Sequence, residues 1–125
     1  MSRKNVKQIK WLSQPEAHNY PAAVDYLSLL FPVADAEKLS KQLRKSPIVQ
    51  FKAKDIFRAS GLSLLGVSNS HVENDRKKIE KGTALSPILL VRHSRLAKVI
   101  VADGYHRLCA VYSFDEDALV PCKIV

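Results

Sequence analysis

Cysteine is scarce in this 125-residue sequence, with only Cys109 and Cys122 present. Two cysteines make no disulfide framework, and no Cys-x-x-Cys pair offers the usual zinc spacing. The four histidines, His18, His71, His93 and His106, show no metal-ligand spacing, and no His-Glu-x-x-His occurs. No structural zinc is therefore expected. Long apolar runs are missing as well. Nothing approaches the ~20 residues that cross a bilayer, and the basic first dozen residues lack the apolar stretch of a secretory signal. The expectation is a reducing, cytoplasmic setting and no membrane partner. Internal repeats and low-complexity tracts are also absent. Acids are in deficit, 12 Asp and Glu against 20 Lys and Arg, which leaves a net charge of +8.

The rest of the composition is ordinary. Hydrophobic residues are 46% and charged residues 26%, the balance of a globular domain. The length suits one domain with a core that needs no staples. The basic excess favours an anionic partner: a nucleotide, a nucleic acid, a phosphorylated substrate or an acidic protein. Lys38, Lys41, Arg44, Lys45, Lys52, Lys54 and Arg58 form a basic segment broken only by Asp55. Such a run reads either as solvated helix surface or as a track for a phosphate backbone.

Periodicity divides the chain near Pro47. Residues 1–19 read as a loose, basic lead-in. Pro21 suits the first position of a helix, continued by Val24, Leu27, Leu30 and Phe31 and stopped at Pro32. Asp35 is the expected N-cap of a second amphipathic helix through Leu39 and Leu43. Residues 48–51 suggest a strand, and residues 55–60 a short helix closed by Gly61. Residues 62–69 form a leucine-rich loop expected to pack into the core. Ser70-His71-Val72-Glu73 reads as a capping box whose helix ends at Gly82. Residues 87–92 and 98–102 are expected to form a hairpin, residues 105–113 a helix, and residues 120–125 a last strand.

The segment that carries chemistry is Val99-Ile-Val-Ala-Asp-Gly-Tyr-His-Arg-Leu-Cys-Ala110. A strand runs into Asp-Gly and a helix begins at once. A helix N-terminus presents unpaired N–H groups and partial positive charge. Glycine allows close approach to the backbone. Arg107 can fork onto phosphate oxygens and His106 can add a donor. Together these make an anion site. Asp103 either caps the helix or positions Mg²⁺ or a substrate hydroxyl. Gly61-Leu-Ser-Leu-Leu-Gly66 has P-loop glycine spacing, but Val67-Ser68 follows where that loop needs lysine.

Residues of about 48–125 resemble the ParB/sulfiredoxin superfamily. Gly104-x-His106-Arg107-x-x-Ala110 is similar to the Gly-Cys-His-Arg motif with which sulfiredoxins hold ATP phosphates. It also resembles the Gly-x-x-Arg-x-x-Ala box of CTP-binding ParB N-terminal domains and the Asp-Gly-His-His/Thr-Arg form of free-serine kinases. Asp75-Arg-Lys-Lys78-Ile79 resembles the sulfiredoxin helix whose lysine reaches ATP. Leu85-Ser-Pro87-Ile88 is similar to the following strand entry, and Val120-Pro-Cys-Lys-Ile-Val125 to the closing strand. Tyr105 stands where sulfiredoxins need their nucleophilic cysteine, and Cys109 lies a turn later, so sulfiredoxin activity is not expected. ParB partition proteins continue into a helix-turn-helix, and this sequence ends at Val125, so a complete partition factor is not expected.

The resemblance implies an α+β fold, a small mixed sheet with flanking helices, at residues 47–125; residues 1–46 have no counterpart in it and read, from their periodicity, as an N-terminal helical extension. It implies a nucleotide-phosphate site for ATP or CTP with Mg²⁺. Gly104, Tyr105, His106, Arg107, Lys78 and Ser86 are the candidate ligand-binding residues. Asp103 and His106 are the candidate catalytic residues, and Asp103 is the candidate metal ligand. Lys78 otherwise belongs to a wet helix face, Tyr105 either stacks or packs, and Ser86 is otherwise a turn residue. Phosphotransferase, nucleotide hydrolase and nucleotide-gated switch all fit such a site. A nucleic-acid-binding or nuclease module is the alternative, and an interaction domain with a degenerate pocket is a third. Cys109 and Cys122 read as small buried side chains.

Overall fold

The computed structural model describes residues 8–66 and 69–125. Residues 1–7 of the basic lead-in, and Val67 and Ser68 of the leucine-rich loop, lie outside the described residues. The chain runs α1 (Asn19–Leu27), α2 (Val33–Lys45), β1 (Val49–Lys52), α3 (Ala53–Ser60), α4 (Ser70–Lys81), β2 (Ile88–His93), β3 (Lys98–Asp103), α5 (Tyr105–Phe114) and β4 (Leu119–Ile124). The fold is α+β with a mixed sheet, ordered β1-β4-β2-β3. β2 and β3 form the expected antiparallel hairpin, β1 pairs antiparallel with β4, and β4 lies parallel to β2.

Side chains alternate across the sheet with period two. Ile88 and Leu90 of β2, Val101 of β3, and Val120 and Cys122 of β4 pack with Ile56, Val72, Ile79 and Leu108 from α3, α4 and α5. Leu89, Val91 and Ala102 face the other way, onto Tyr20, Ala23, Leu27, Ala36 and Leu43 of α1 and α2. The two N-terminal helices thus cover the second face of the sheet. β2 is buried on both faces, which explains its continuous apolar run. Lys123, buried on the α1–α2 side, donates its ammonium to the Arg44 carbonyl at 2.9 Å, near the C-terminus of α2. That is the end of a helix where a cation is favoured.

Several local expectations are corrected. Residues 8–19 are not a loose lead-in: Trp11 makes a parallel bridge with Leu85, and Leu12 N–H donates to the Leu85 carbonyl at 2.8 Å. α1 begins at Asn19, so Pro21 is its third residue, and it ends at Leu27 rather than at Pro32. Ser28 donates its hydroxyl to the Val24 carbonyl and closes the helix with a tight turn. Leu30, expected to continue this helix, lies beyond its end and is exposed. Pro32 is the N-cap of α2, and Asp35 lies inside its first turn, where it complements the helix dipole. α4 is capped by Asn69 and not by Ser70: the Asn69 side chain accepts from His71 N–H and Val72 N–H. Leu62 and Leu64 are exposed, and Leu65 is the leucine of that loop packed against the core.

Cys109 and Cys122 are buried, as expected. Burial pushes the Cys122 thiol up to about 12 and the Cys109 thiol upward as well. Among the described residues no helix is long and apolar enough to cross a membrane.

Candidate functional site

β3 delivers the chain to Asp103 at the edge of the sheet, and Gly104 turns it into α5. Gly104 has φ +106°, a backbone conformation that side chains other than hydrogen rarely adopt. A Cβ placed there would meet Arg107 Nη2 and Ile88 Cγ1, each at 2.9 Å. The glycine is required by packing within the protein, whatever approaches from outside. Among the described residues no side chain caps α5. Its first internal hydrogen bond, from Leu108 N–H to the Gly104 carbonyl, lies above the first-turn donors of residues 105–107. Asp103, expected as a possible cap, is turned elsewhere: Oδ2 accepts from Arg107 Nη2 at 2.9 Å.

α4 forms the facing wall. Val72 and Ile79 on one side of the helix are buried in the core. His71, Asn74, Asp75 and Lys78 line a polar cleft of ≈ 280 Å³ together with residues 103–107. These four positions follow the i, i+3, i+4, i+7 stripe of one helix face. The structure therefore brings Lys78, Asp103, Gly104, Tyr105, His106 and Arg107 to one place. It leaves Ser86 out. That hydroxyl is 3% exposed, accepts from Glu16 N–H at 3.0 Å and donates to Asn19 Oδ1. Ser86 fastens the N-terminal segment to the sheet.

The cleft is electrostatically mixed. Arg107 and Asp103 form an ion pair with side chains 17% and 15% exposed. Arg107 Nη2 also donates to the Pro87 carbonyl at 3.3 Å, while its Nε is buried with no hydrogen-bond partner among the described residues. The guanidinium thus ties the start of β2 to the end of β3, besides lining the cleft. Lys78 is 54% exposed and stands 3.8 Å from Asp75 Oδ1. Asp75 is 9% exposed, and burial raises its carboxyl above the ordinary value, partly opposed by Lys78 and then by Arg107. The His71 and His106 rings lie 4.8 Å apart between centroids. Burial, followed by the charge of His71, lowers the His106 pKa and favours the neutral ring.

Among the described residues no group of three or more His, Cys, Asp or Glu side chains could hold a metal ion. The cleft's own carboxylates are Asp75 and Asp103. A Mg²⁺ that arrives with a nucleotide commonly takes one or two carboxylates plus phosphate oxygens; here Asp103 is paired with Arg107, and burial favours the neutral form of Asp75. His71, Asn74 and Asp75 were not picked out as site residues from sequence. Their signal is the polar stripe of α4, readable only once a facing partner is known.

The basic segment is dispersed. Lys52 and Lys54 both face Asp117, at 3.9 and 2.9 Å, and Arg58 faces Asp55 at 3.8 Å. Arg44 lies over the Tyr20 ring, 4.2 Å from its centroid. Lys38, Lys41 and Lys45 are exposed on α2.

No protein-family model, curated protein or solved structure matches the chain.

Proposed function

We propose that the cleft between α4 and the start of α5 binds the phosphates of a nucleotide, ATP or CTP, accompanied by Mg²⁺. The observation that supports this most is the convergence of Lys78 and His106 on the uncapped N-terminus of α5. Free first-turn N–H groups and the helix dipole favour an anion there. Lys78, half exposed at the rim, is free to swing from Asp75 to a phosphate oxygen. Arg107 contributes positive charge from a fixed position, held by Asp103 and the Pro87 carbonyl. Asp75 and Asp103 are the groups that would hold the magnesium, which neutralises phosphate charge and orients the chain of phosphates.

Phosphoryl transfer relies mainly on positioning and charge neutralisation, and this cleft has the residues for both. His106, whose neutral ring is favoured by burial, is the group suited to accept a proton from an attacking hydroxyl. A phosphotransferase, a hydrolase and a nucleotide-gated switch share this binding step.

The test is calorimetric titration with tripolyphosphate, ATP, CTP and GTP, with and without Mg²⁺, on wild type, Lys78→Ala and His106→Ala. Arg107→Ala is the poorer probe, because its loss leaves Asp103 unpaired and the β2–β3 junction untied. Binding that weakens in both variants, with their unfolding unchanged, supports the reading. Absence of binding by every ligand refutes it. Steeply salt-dependent affinity for DNA or RNA in place of nucleotide binding would point to the backbone-tracking alternative.

A further inference from the structure

Beside the polar cleft lies a second hollow of ≈ 420 Å³, within the ~300–1,000 Å³ typical of ligand sites. Ala22 and Tyr26 of α1 form one wall, Leu62 another, and Val101 and Ala102 of β3 the floor. Residues 103–106 line both spaces, so the two adjoin at the start of α5. Their chemistries differ sharply. The cleft gathers the charged side chains, whereas the hollow is apolar apart from the residues it shares.

We propose that this hollow receives the nucleoside half of the ligand whose phosphates occupy the cleft, so that α1 contributes directly to the binding site. The proposal rests on the phosphate-cleft reading. A nucleotide has the same division, a flat, largely apolar base joined to a charged tail. Tyr26 is 42% exposed at the mouth of the hollow and offers an aromatic face for stacking. The floor is an edge strand: β3 pairs with β2 on one side and with no strand on the other among the described residues. Alternate backbone N–H and C=O groups of such a strand are directed away from its neighbour, where they can read the edge of a base. Tyr105 stands at the shared border and donates its hydroxyl to the Ser63 carbonyl, which fixes the loop carrying Leu62 against α5.

Two substitutions separate the halves of the site. Ala22→Phe, at an exposed position of α1, fills the hollow, and Tyr26→Ala removes the aromatic face while Tyr26→Phe keeps it. Each variant is titrated by calorimetry with tripolyphosphate and with ATP and CTP. The expected result is a loss of about tenfold or more in nucleotide affinity for Ala22→Phe and Tyr26→Ala. Tyr26→Phe retains affinity, and tripolyphosphate binding is unchanged throughout. If tripolyphosphate binds and both variants keep wild-type nucleotide affinity, the proposal is overturned and the phosphate reading stands. An equal fall for both ligands also overturns it, because the hollow would then have no separate role. If wild type binds neither ligand, the phosphate reading fails and this proposal fails with it.

Discussion

Replacing Gly104 with alanine tests the geometry of the strand–helix junction directly. Two effects add. At φ +106° a side chain is strained, at roughly 1–3 kcal/mol. The new methyl would also stand 2.9 Å from Ile88 Cγ1 and Arg107 Nη2. Ile88 is fully buried and has no room to retreat. Arg107 can yield only by loosening its bonds to Asp103 and the Pro87 carbonyl. Overpacking of this kind costs about 1–3 kcal/mol. Against this, alanine restricts the unfolded chain, which returns ~0.4–1 kcal/mol. The net expectation is a destabilisation of about 1–5 kcal/mol, centred on ~3, or roughly 10 °C in melting temperature. Gly66→Ala is the control, because a Cβ there meets nothing within 4 Å, and its effect should stay within ~0.5 kcal/mol. Urea unfolding can be followed through Trp11, which is unique and half-buried against the core. A Gly104→Ala protein as stable as Gly66→Ala would refute both the packing of Arg107 over the glycine and the argument that the glycine is structurally required.

Asp75→Asn should raise the melting temperature at pH 7, because burial raises the Asp75 carboxyl and the charged form is disfavoured in the fold. A raised folded pKa gives stability that is present below the ordinary value of 3.8 and lost as pH rises through the folded value, so the gain should vanish in melts taken near pH 3. His106 shifts the other way: its stability contribution is complete above 6.5 and is lost as pH falls through its lowered folded pKa. Tripolyphosphate favours the charged ring, so its affinity should rise as pH is lowered below 6.5, and His106→Gln should flatten that rise in calorimetric titrations. Ser86→Ala strands the buried Asn19 side chain and the Glu16 N–H. It should cost about 1–3 kcal/mol in urea unfolding while leaving ligand affinity unchanged.

The order of elements was legible because it depends on local rules. The apolar run of β2, the abrupt Asp103-Gly104 stop and the Gly61 and Gly82 helix ends depend on near neighbours along the chain. The misreadings share a different cause. Ser70 and Asn69 are equally good caps by residue type, and the choice between them turns on where the preceding loop delivers the chain. Leu62 and Leu64 look like core by composition, yet both are exposed, and Leu62 lines the hollow. Trp11 gave no sign of pairing with Leu85, 74 positions away, because an isolated bridge has no periodicity to detect.

The site shows the same boundary more sharply. Gly104, His106 and Arg107 were readable as an anion motif because they share one helix turn, and Lys78 entered through its resemblance to a known pattern. What sequence could not assign was how each side chain divides its bonds. Arg107 has the residue type of a phosphate fork, but in the fold Asp103 and the Pro87 carbonyl claim Nη2. Its loss would disturb the junction whether or not a phosphate binds. Lys78, at the rim, faces Asp75 at a long 3.8 Å and is the cation better able to exchange partners. The residue most suggestive by motif is therefore a poor reporter of ligand binding, and the half-exposed lysine across the cleft is the better one. Loss of phosphate affinity in Lys78→Ala without loss of stability would bear on function alone, a separation that the buried ion pair does not permit.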